Sequence, residues 1–180
     1  RELRRPGGAG TATEMKWVSA SFFETYQIKP IMGRLFDPRL DKEKDEVALV
    51  INAIAARELG FASPAAALGQ TLAYLNSDNK WVYKRVIGIV PEVRFHSLRE
   101  SPRAMGYELV SGGGVITIRA AGQRADAERA LRKVWSQHLP NAVLRTQPAG
   151  DILALNYADD ARMAKLLAIA TGIALAIAAF

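Results

Sequence analysis

The apolar positions of this 180-residue chain recur with two periods and then merge into one continuous run. Ala127, Ala130, Leu131, Val134 and Trp135 follow the i, i+3, i+4, i+7, i+8 spacing of one helix face. Arg129, Arg132 and Lys133 lie on the opposite side, Glu128 stands four residues before Arg132, and Pro140 closes the helix. Ser21 and Glu24 have capping-box spacing ahead of Phe22, Phe23 and Tyr26, predicting a short helix from about Ser21 to Ile28. Asn52 is placed to cap a helix over Ala53 to Leu59, stopped by Gly60. A fourth helix is predicted from about Asp151, after Pro148 and Gly150. It carries Ile152, Leu155 and Tyr157, passes Asp159, Asp160 and Arg162, and continues into the apolar tail.

Strand patterns alternate with these helices. Val47 to Ile51 is a short unbroken apolar run, as a buried strand requires. Thr71 to Leu75 and Trp81 to Val90 flank the turn formers Asn76, Ser77, Asp78 and Asn79 and read as a hairpin. Val115 to Arg119 and Ala142 to Thr146 read as strands on either side of the Ala127 helix, which makes a β-α-β unit. A strand near Trp17 with the Phe22 helix suggests a matching half. The stretch from about Gly33 to Leu109 is then an insertion with strands of its own.

The tail from Met163 to Phe180 carries Lys165 as its one charge, with Thr171 and Gly172 its other breaks in apolar character. A spanning helix needs roughly 17–25 apolar residues. A helix apolar all round has no water-facing side. The tail is therefore read as the beginning of a transmembrane helix, with a buried core helix as the competing reading. Residues 1–14, basic and then Gly-rich, read as a linker.

Composition narrows the chemistry. There is no cysteine, which removes disulfides, thiolate metal sites and cysteine nucleophiles. A hydrophobic share of 49% with 23% charged residues is that of a folded domain. Lys and Arg number 24 against 18 acids, for a formal charge of +6, but the two signs are interleaved, as in Asp41-Lys42-Glu43-Lys44-Asp45-Glu46. Arg94, Arg99 and Arg103 form the densest basic group, short of the stripe with interleaved aromatics that nucleic acid requires. No nucleic-acid partner is expected. Trp17, Trp81 and Trp135 are read as core or interface residues.

No catalytic set is legible. The chain lacks a Walker-type G-x-x-x-x-G-K-[ST] loop, a G-x-S-x-G elbow and an H-E-x-x-H helix. Gly112 to Gly114 precede a strand pattern and read as a loop. His96 and His138 read as surface or cap residues, and nothing pairs Glu92 with Glu100. The expectation is a non-enzymatic domain with no catalytic residue, cofactor or metal.

Four segments in order carry a resemblance. Trp17-Val18-Ser19-Ala20-Ser21-Phe22-Phe23-Glu24-Thr25-Tyr26 precedes Ile31-Met32-Gly33-Arg34-Leu35-Phe36. Val50-Ile51-Asn52 with Ala55-Ala56-Arg57 precedes Leu68-Gly69-Gln70-Thr71-Leu72. Then come Val86-Ile87-Gly88-Ile89-Val90-Pro91-Glu92-Val93-Arg94-Phe95-His96-Ser97-Leu98-Arg99 and the tail from Asp159. Together they resemble the extracytoplasmic core domain of ABC-transporter permeases of the MacB-like and FtsX-like family, over about Met15 to Phe180. The positions that carry it are Phe22, Phe23, Gly33, Arg34, Phe36, Asn52, Gly69, Gly88, Arg94 and Ser97. They are packing and turn positions.

The resemblance implies an α+β fold. Its porter-like two-layer domain of β-α-β units (15–32 and 111–150) is split by a small β-rich inserted subdomain (33–110), and residues 151–180 lead into a C-terminal transmembrane helix. It implies a periplasmic location at the inner membrane, an ATP-binding subunit or domain elsewhere, and a second permease half or copy as dimer partner. The implied function is coupling of ATP hydrolysis to extracytoplasmic movement for export. The alternative is an FtsX-like regulatory or scaffold domain that controls a periplasmic partner without transport.

Overall fold

The computed structural model describes residues 1–41, 47–93, 101–151, 162–163 and 165–171. It divides into two units, Arg1–Arg119 and Ala120–Phe180. The first holds one mixed sheet of β1 (Glu2–Arg4), β2 (Gly10–Ala12), β3 (Glu14–Val18), β4 (Met32–Gly33), β5 (Ala48–Asn52), β6 (Thr71–Leu75), β7 (Trp81–Val90) and β8 (Met105–Leu109). The strand order is β2-β1-β6-β7-β5-β8-β3, with β4 pairing β7. Helices α1 (Phe22–Thr25), α2 (Ala53–Glu58) and α3 (Pro64–Ala67) belong to this unit, and α4 (Arg124–His138) to the second.

The two ends of the strand order are neighbours in sequence. β2 ends at Ala12 and β3 begins at Glu14. The Thr13 N–H donates to the Arg1 carbonyl, extending the β1–β2 ladder, while the Glu14 N–H donates to the Ala104 carbonyl and opens the β3–β8 ladder. In a flat sheet those edges would lie six strand spacings of about 4.8 Å apart. The sheet must therefore curl until its edges meet at the buried Thr13. The Arg1 guanidinium spans this seam, 5.2 Å from the Trp17 ring centroid and 5.1 Å from that of Tyr74.

Curling separates two cores. On the inner face, Leu3, Met15, Leu49, Ile51, Leu72, Tyr74, Val86 and Ile89 pack with Ile54, Ala55 and Ala56 of α2 and with Leu59 just after it. On the outer face, Phe23 of α1 and Phe36 pack on Val18, Val50, Val90, Met105 and Tyr107. Successive side chains of a strand alternate faces, so the register of β7 decides which of its residues enter which core.

That register departs from the simple rule of apolar inside. Along Trp81-Val82-Tyr83-Lys84-Arg85-Val86, the buried members include Lys84 (5% exposed), while Trp81 (43%) and Tyr83 (59%) face solvent. Lys84 Nζ meets Glu108 Oε2 at 3.4 Å, across the intervening β5. Glu108 is itself only 8% exposed. Its Oε1 is buried without a hydrogen-bond partner.

Several expected elements form as read. The hairpin comprises β6 and β7, and Asn76 Oδ1 organises its turn by accepting the N–H groups of Asp78 and Lys80 at 3.0 and 2.9 Å. β5, α2 and α4 lie where their patterns placed them.

Others need correction. Residues 1–14 are not a linker: β1 and β2 form a hairpin and Leu3 is fully buried, a single apolar anchor hidden among charged and Gly residues. The first helix is one turn, and Ser21 makes no capping bond, because its hydroxyl sits 3.2 Å from that of Ser19 instead. Neither 115–119 nor 142–146 is a strand. Val115 and Val143 are 86% and 84% exposed. A β-rich pattern becomes a strand only when a partner takes up its backbone groups, and neither run joins the sheet among the described residues. The former run is tethered to α1, by Arg119 Nη1 donating to the Thr25 carbonyl at 2.9 Å and by the Tyr26 and Thr117 hydroxyls at 3.3 Å.

In the tail, residues 162–163 and 165–171 are helical. The remainder of the expected fourth helix and membrane segment, 152–161, 164 and 172–180, lies outside the described residues. Among the described residues no helix is long and apolar enough to cross a membrane.

Removing one member of a buried ion pair strands the other charge, which costs about 3–5 kcal/mol, whereas replacing both with apolar residues is near neutral. Lys84→Met and Glu108→Leu are each expected to lower the urea-unfolding free energy by about that amount, and the double variant to recover most of it. Additive losses in the double variant would show that the two side chains do not act as a pair.

Candidate functional site

Two of the motif residues, Gly33 and Gly88, face each other at a backbone crossing. β4 lies against β7 with Met32 opposite Ile89 and Gly33 opposite Gly88. The Ile31 N–H donates to the Ile89 carbonyl at 2.7 Å and the Arg34 N–H to the Ile87 carbonyl at 3.0 Å. Gly33 has φ +72°, and a Cβ there would strike the Ile87 carbonyl and the Leu68 side chain. A Cβ on Gly88 would strike the Arg34 carbonyl. Both positions demand glycine, one for conformation and space and the other for space alone. Gly69, at φ +77°, turns the chain from α3 into β6 and donates its N–H to the Val86 carbonyl at 2.8 Å.

Arg34 leaves this crossing and closes the loop that follows it. Its Nη1 and Nη2 donate to Asp41 Oδ2 and Oδ1 at 2.5 and 2.8 Å, a bidentate pair. The Asp37 N–H also donates to Asp41 Oδ2, at 2.9 Å. Hydrogen bonding to Arg34 holds the Asp41 carboxyl below the ordinary carboxylate range and raises the guanidinium in turn. The loop so fixed presents Phe36 to the outer core. The rings of Phe23 and Phe36 lie 6.1 Å apart, and Phe23 meets Tyr107 edge-on at 5.2 Å. Phe22 extends the cluster, 5.2 Å from Phe23. Burial pushes the Tyr107 phenol well up, with the Glu14 charge adding to it, so this hydroxyl stays neutral at physiological pH.

Asn52 is the other junction. Fully buried, it accepts the Ala55 N–H through Oδ1 at 2.8 Å, capping α2 as its position predicts. The same oxygen takes the Met105 N–H at 3.0 Å, and Nδ2 donates to the Arg103 carbonyl at 2.8 Å. One side chain thus satisfies the start of α2 and the start of β8 together.

Arg94 and Ser97, like His96, Arg99 and Glu100, lie outside the described residues. His138 is the exposed last residue of α4. Among the described residues no three His, Cys, Asp or Glu side chains group as a metal site would require. These contacts are structural: the glycines join β4 to β7, the Arg34–Asp41 pair closes the loop after β4, and Asn52 ties the end of β5 to the starts of α2 and β8. Sequence reading missed the Lys84–Glu108 pair, whose only signal is a lysine amid the apolar and aromatic alternation of β7.

Asn52→Ala removes a cap and leaves a buried N–H unpaired; a loss of about 2–4 kcal/mol in urea unfolding is expected, against no change for an exposed control such as Lys80→Ala. The Asp41 contribution is complete above the unfolded carboxylate value of about 3.9 and disappears as pH falls through its lower folded value. Asp41→Asn should therefore lose stability at neutral pH and show a flatter decline than the parent in acid. An unchanged acid limb would remove the clamp from the account.

No family model matches the chain, and no curated protein matches it. Its structure is similar to the periplasmic region of MacB from Actinobacillus actinomycetemcomitans, with 17% identity and a TM-score of 0.50 over 76% of this chain and 61% of that one. It is also similar to a domain of a putative permease protein from Porphyromonas gingivalis, with 14% identity and a TM-score of 0.52 over 82% of this chain and 74% of that one. The chain thus spans less than two thirds of the MacB periplasmic region. At these identities the likeness is one of fold: a mixed, sheet-dominated α/β architecture of the kind seen in periplasmic permease domains.

Proposed function

We propose that this chain is the extracytoplasmic domain of an ABC-transporter permease subunit of the MacB-like/FtsX-like family. The single observation behind the proposal is a fold similar to that of two periplasmic permease domains, in which the motif glycines Gly33 and Gly88 face each other where β4 lies on β7. The subunit sits in the inner membrane with this domain in the periplasm. An ATP-binding subunit or domain and a second permease half or copy complete the assembly.

Its task is mechanical. ATP-driven closure in the cytoplasm shifts the membrane helices, and the chain from Asp151 onward, which has no proline, passes that shift to the extracytoplasmic domain as a stiff lever. Backbone contacts such as the β4–β7 crossing suit the sheet of the first unit to bear such a load. The regulatory reading uses the same fold to present a surface to a periplasmic partner; the solvent-facing aromatics of β7 favour it enough to keep it in view.

These 180 residues hold no cysteine, so a label placed in them is unambiguous once any cysteine elsewhere in the assembly is replaced. A Ser77→Cys spin label in the reconstituted permease with its ATPase reports the distance between the two copies. A distance change on ATP binding is expected, and a Gly-Gly insertion after Asp159 should abolish it while ATP hydrolysis persists. A distance indifferent to nucleotide in the uninterrupted protein sinks the mechanical reading and leaves the regulatory one.

A further inference from the structure

The outer face of the β6–β7 hairpin is organised against ordinary burial preference. Trp81, Tyr83 and Arg85 occupy alternate positions of β7 and point to solvent, while Lys84 between them is buried. A one-residue slip would bury the two rings and free the lysine. The observed register instead desolvates Lys84 and Glu108 and leaves the aromatics uncovered, so this face is specified rather than left over. The exposed Leu75 stands opposite Trp81, and Ala73 lies between Arg4 and Tyr83. The outer core of Phe23 and Phe36 covers the other half of this sheet face but does not include these residues.

We propose that this face, built on Trp81, Tyr83 and Arg85, docks a segment of a partner protein whose apolar side chains are flanked by carboxylates. Trp, Tyr and Arg are the residues that dominate binding energy when enclosed at protein interfaces. Neither the Tyr83 hydroxyl nor the Arg85 guanidinium has a polar partner among the described residues, and both are exposed. Arg4 lies 4.6 Å from the Trp81 ring centroid, paired with Glu2, and Lys80 stands exposed at the entry to β7. Cations outnumber the nearby free carboxylate of Asp78, so acidic flanks complement the surface. A symmetric contact with a second copy would set Arg85 and Lys80 against their own kind. This inference is independent of whether the domain serves transport or regulation.

The test uses the full 180-residue chain, 15N-labelled, titrated with a synthetic amphipathic peptide bearing Leu and Phe on one face and Glu on its flanks. Amide shifts are expected to cluster on residues 71–85. Affinity should fall at least about tenfold with the same peptide carrying Lys for Glu, and likewise with Tyr83→Ser or Arg85→Glu. Both residues are exposed, so circular dichroism and Tm should match the parent; Arg85→Gln serves if the charge reversal disturbs folding. No shift on residues 71–85 at millimolar peptide, or equal binding of both peptides, overturns the proposal. Binding to phosphatidylglycerol vesicles in place of peptide, lost in the same variants, would make the face a membrane seat and overturns it too. So would self-association in sedimentation that Tyr83→Ser abolishes, because a second copy would then be the occupant.

Discussion

The buried pair of Lys84 and Glu108 is the constraint from which much of the first unit follows. Two charges placed on one face of a curled sheet, with β5 between their strands, restrict β7 to a single register. Sliding β7 by one residue would expose Lys84 but bury Arg85 and abandon the antiparallel pairing with β6. The pair adds little net stability, because desolvation offsets most of the Coulomb attraction. Its effect is to make the alternatives costly. Val82 and Val86 then enter the inner core, and the aromatics are left outside as a consequence.

Glycine and asparagine act at the points where backbones must approach. Gly33 and Gly88 allow β4 to lie on β7 with no side chain between them, and Asn52 resolves three polar groups that α2 and β8 would otherwise bury unpaired. These positions carry no chemistry of their own. A motif made of such residues identifies how a fold is locked, and function has to be argued from what the locked body presents or transmits.

What the sequence made legible was local. The β6–β7 hairpin, the Asn52 cap and the α4 face were readable because neighbours a few residues apart decide them. The short β1 and β2 strands were not, because one leucine between charges gives no period and the β6 partner of β1 lies about seventy residues on. Val115–Arg119 failed in the opposite direction: the pattern is there and the pairing is absent among the described residues. The crossing was half legible. Its glycines stand out, but Arg34 clamping Asp41, and Phe36 reaching Phe23, depend on a loop whose path no spacing rule prescribes. The inverted face of β7 was hidden, since three large residues on a strand suggest burial until the ion pair is seen.

The seam at Thr13 bears on how the chain reaches this state. Joining the edges of a sheet usually requires a long connection to be closed, with the entropy loss that entails. Here the connection is a single residue, so pairing β1 with β6 and β3 with β8 brings the edges together at no further loop cost. The entropic barrier falls instead on those two pairings, which join the first residues of the chain to strands far downstream. Non-local pairings of this kind lower folding rates, and the N-terminal hairpin takes part in one of them.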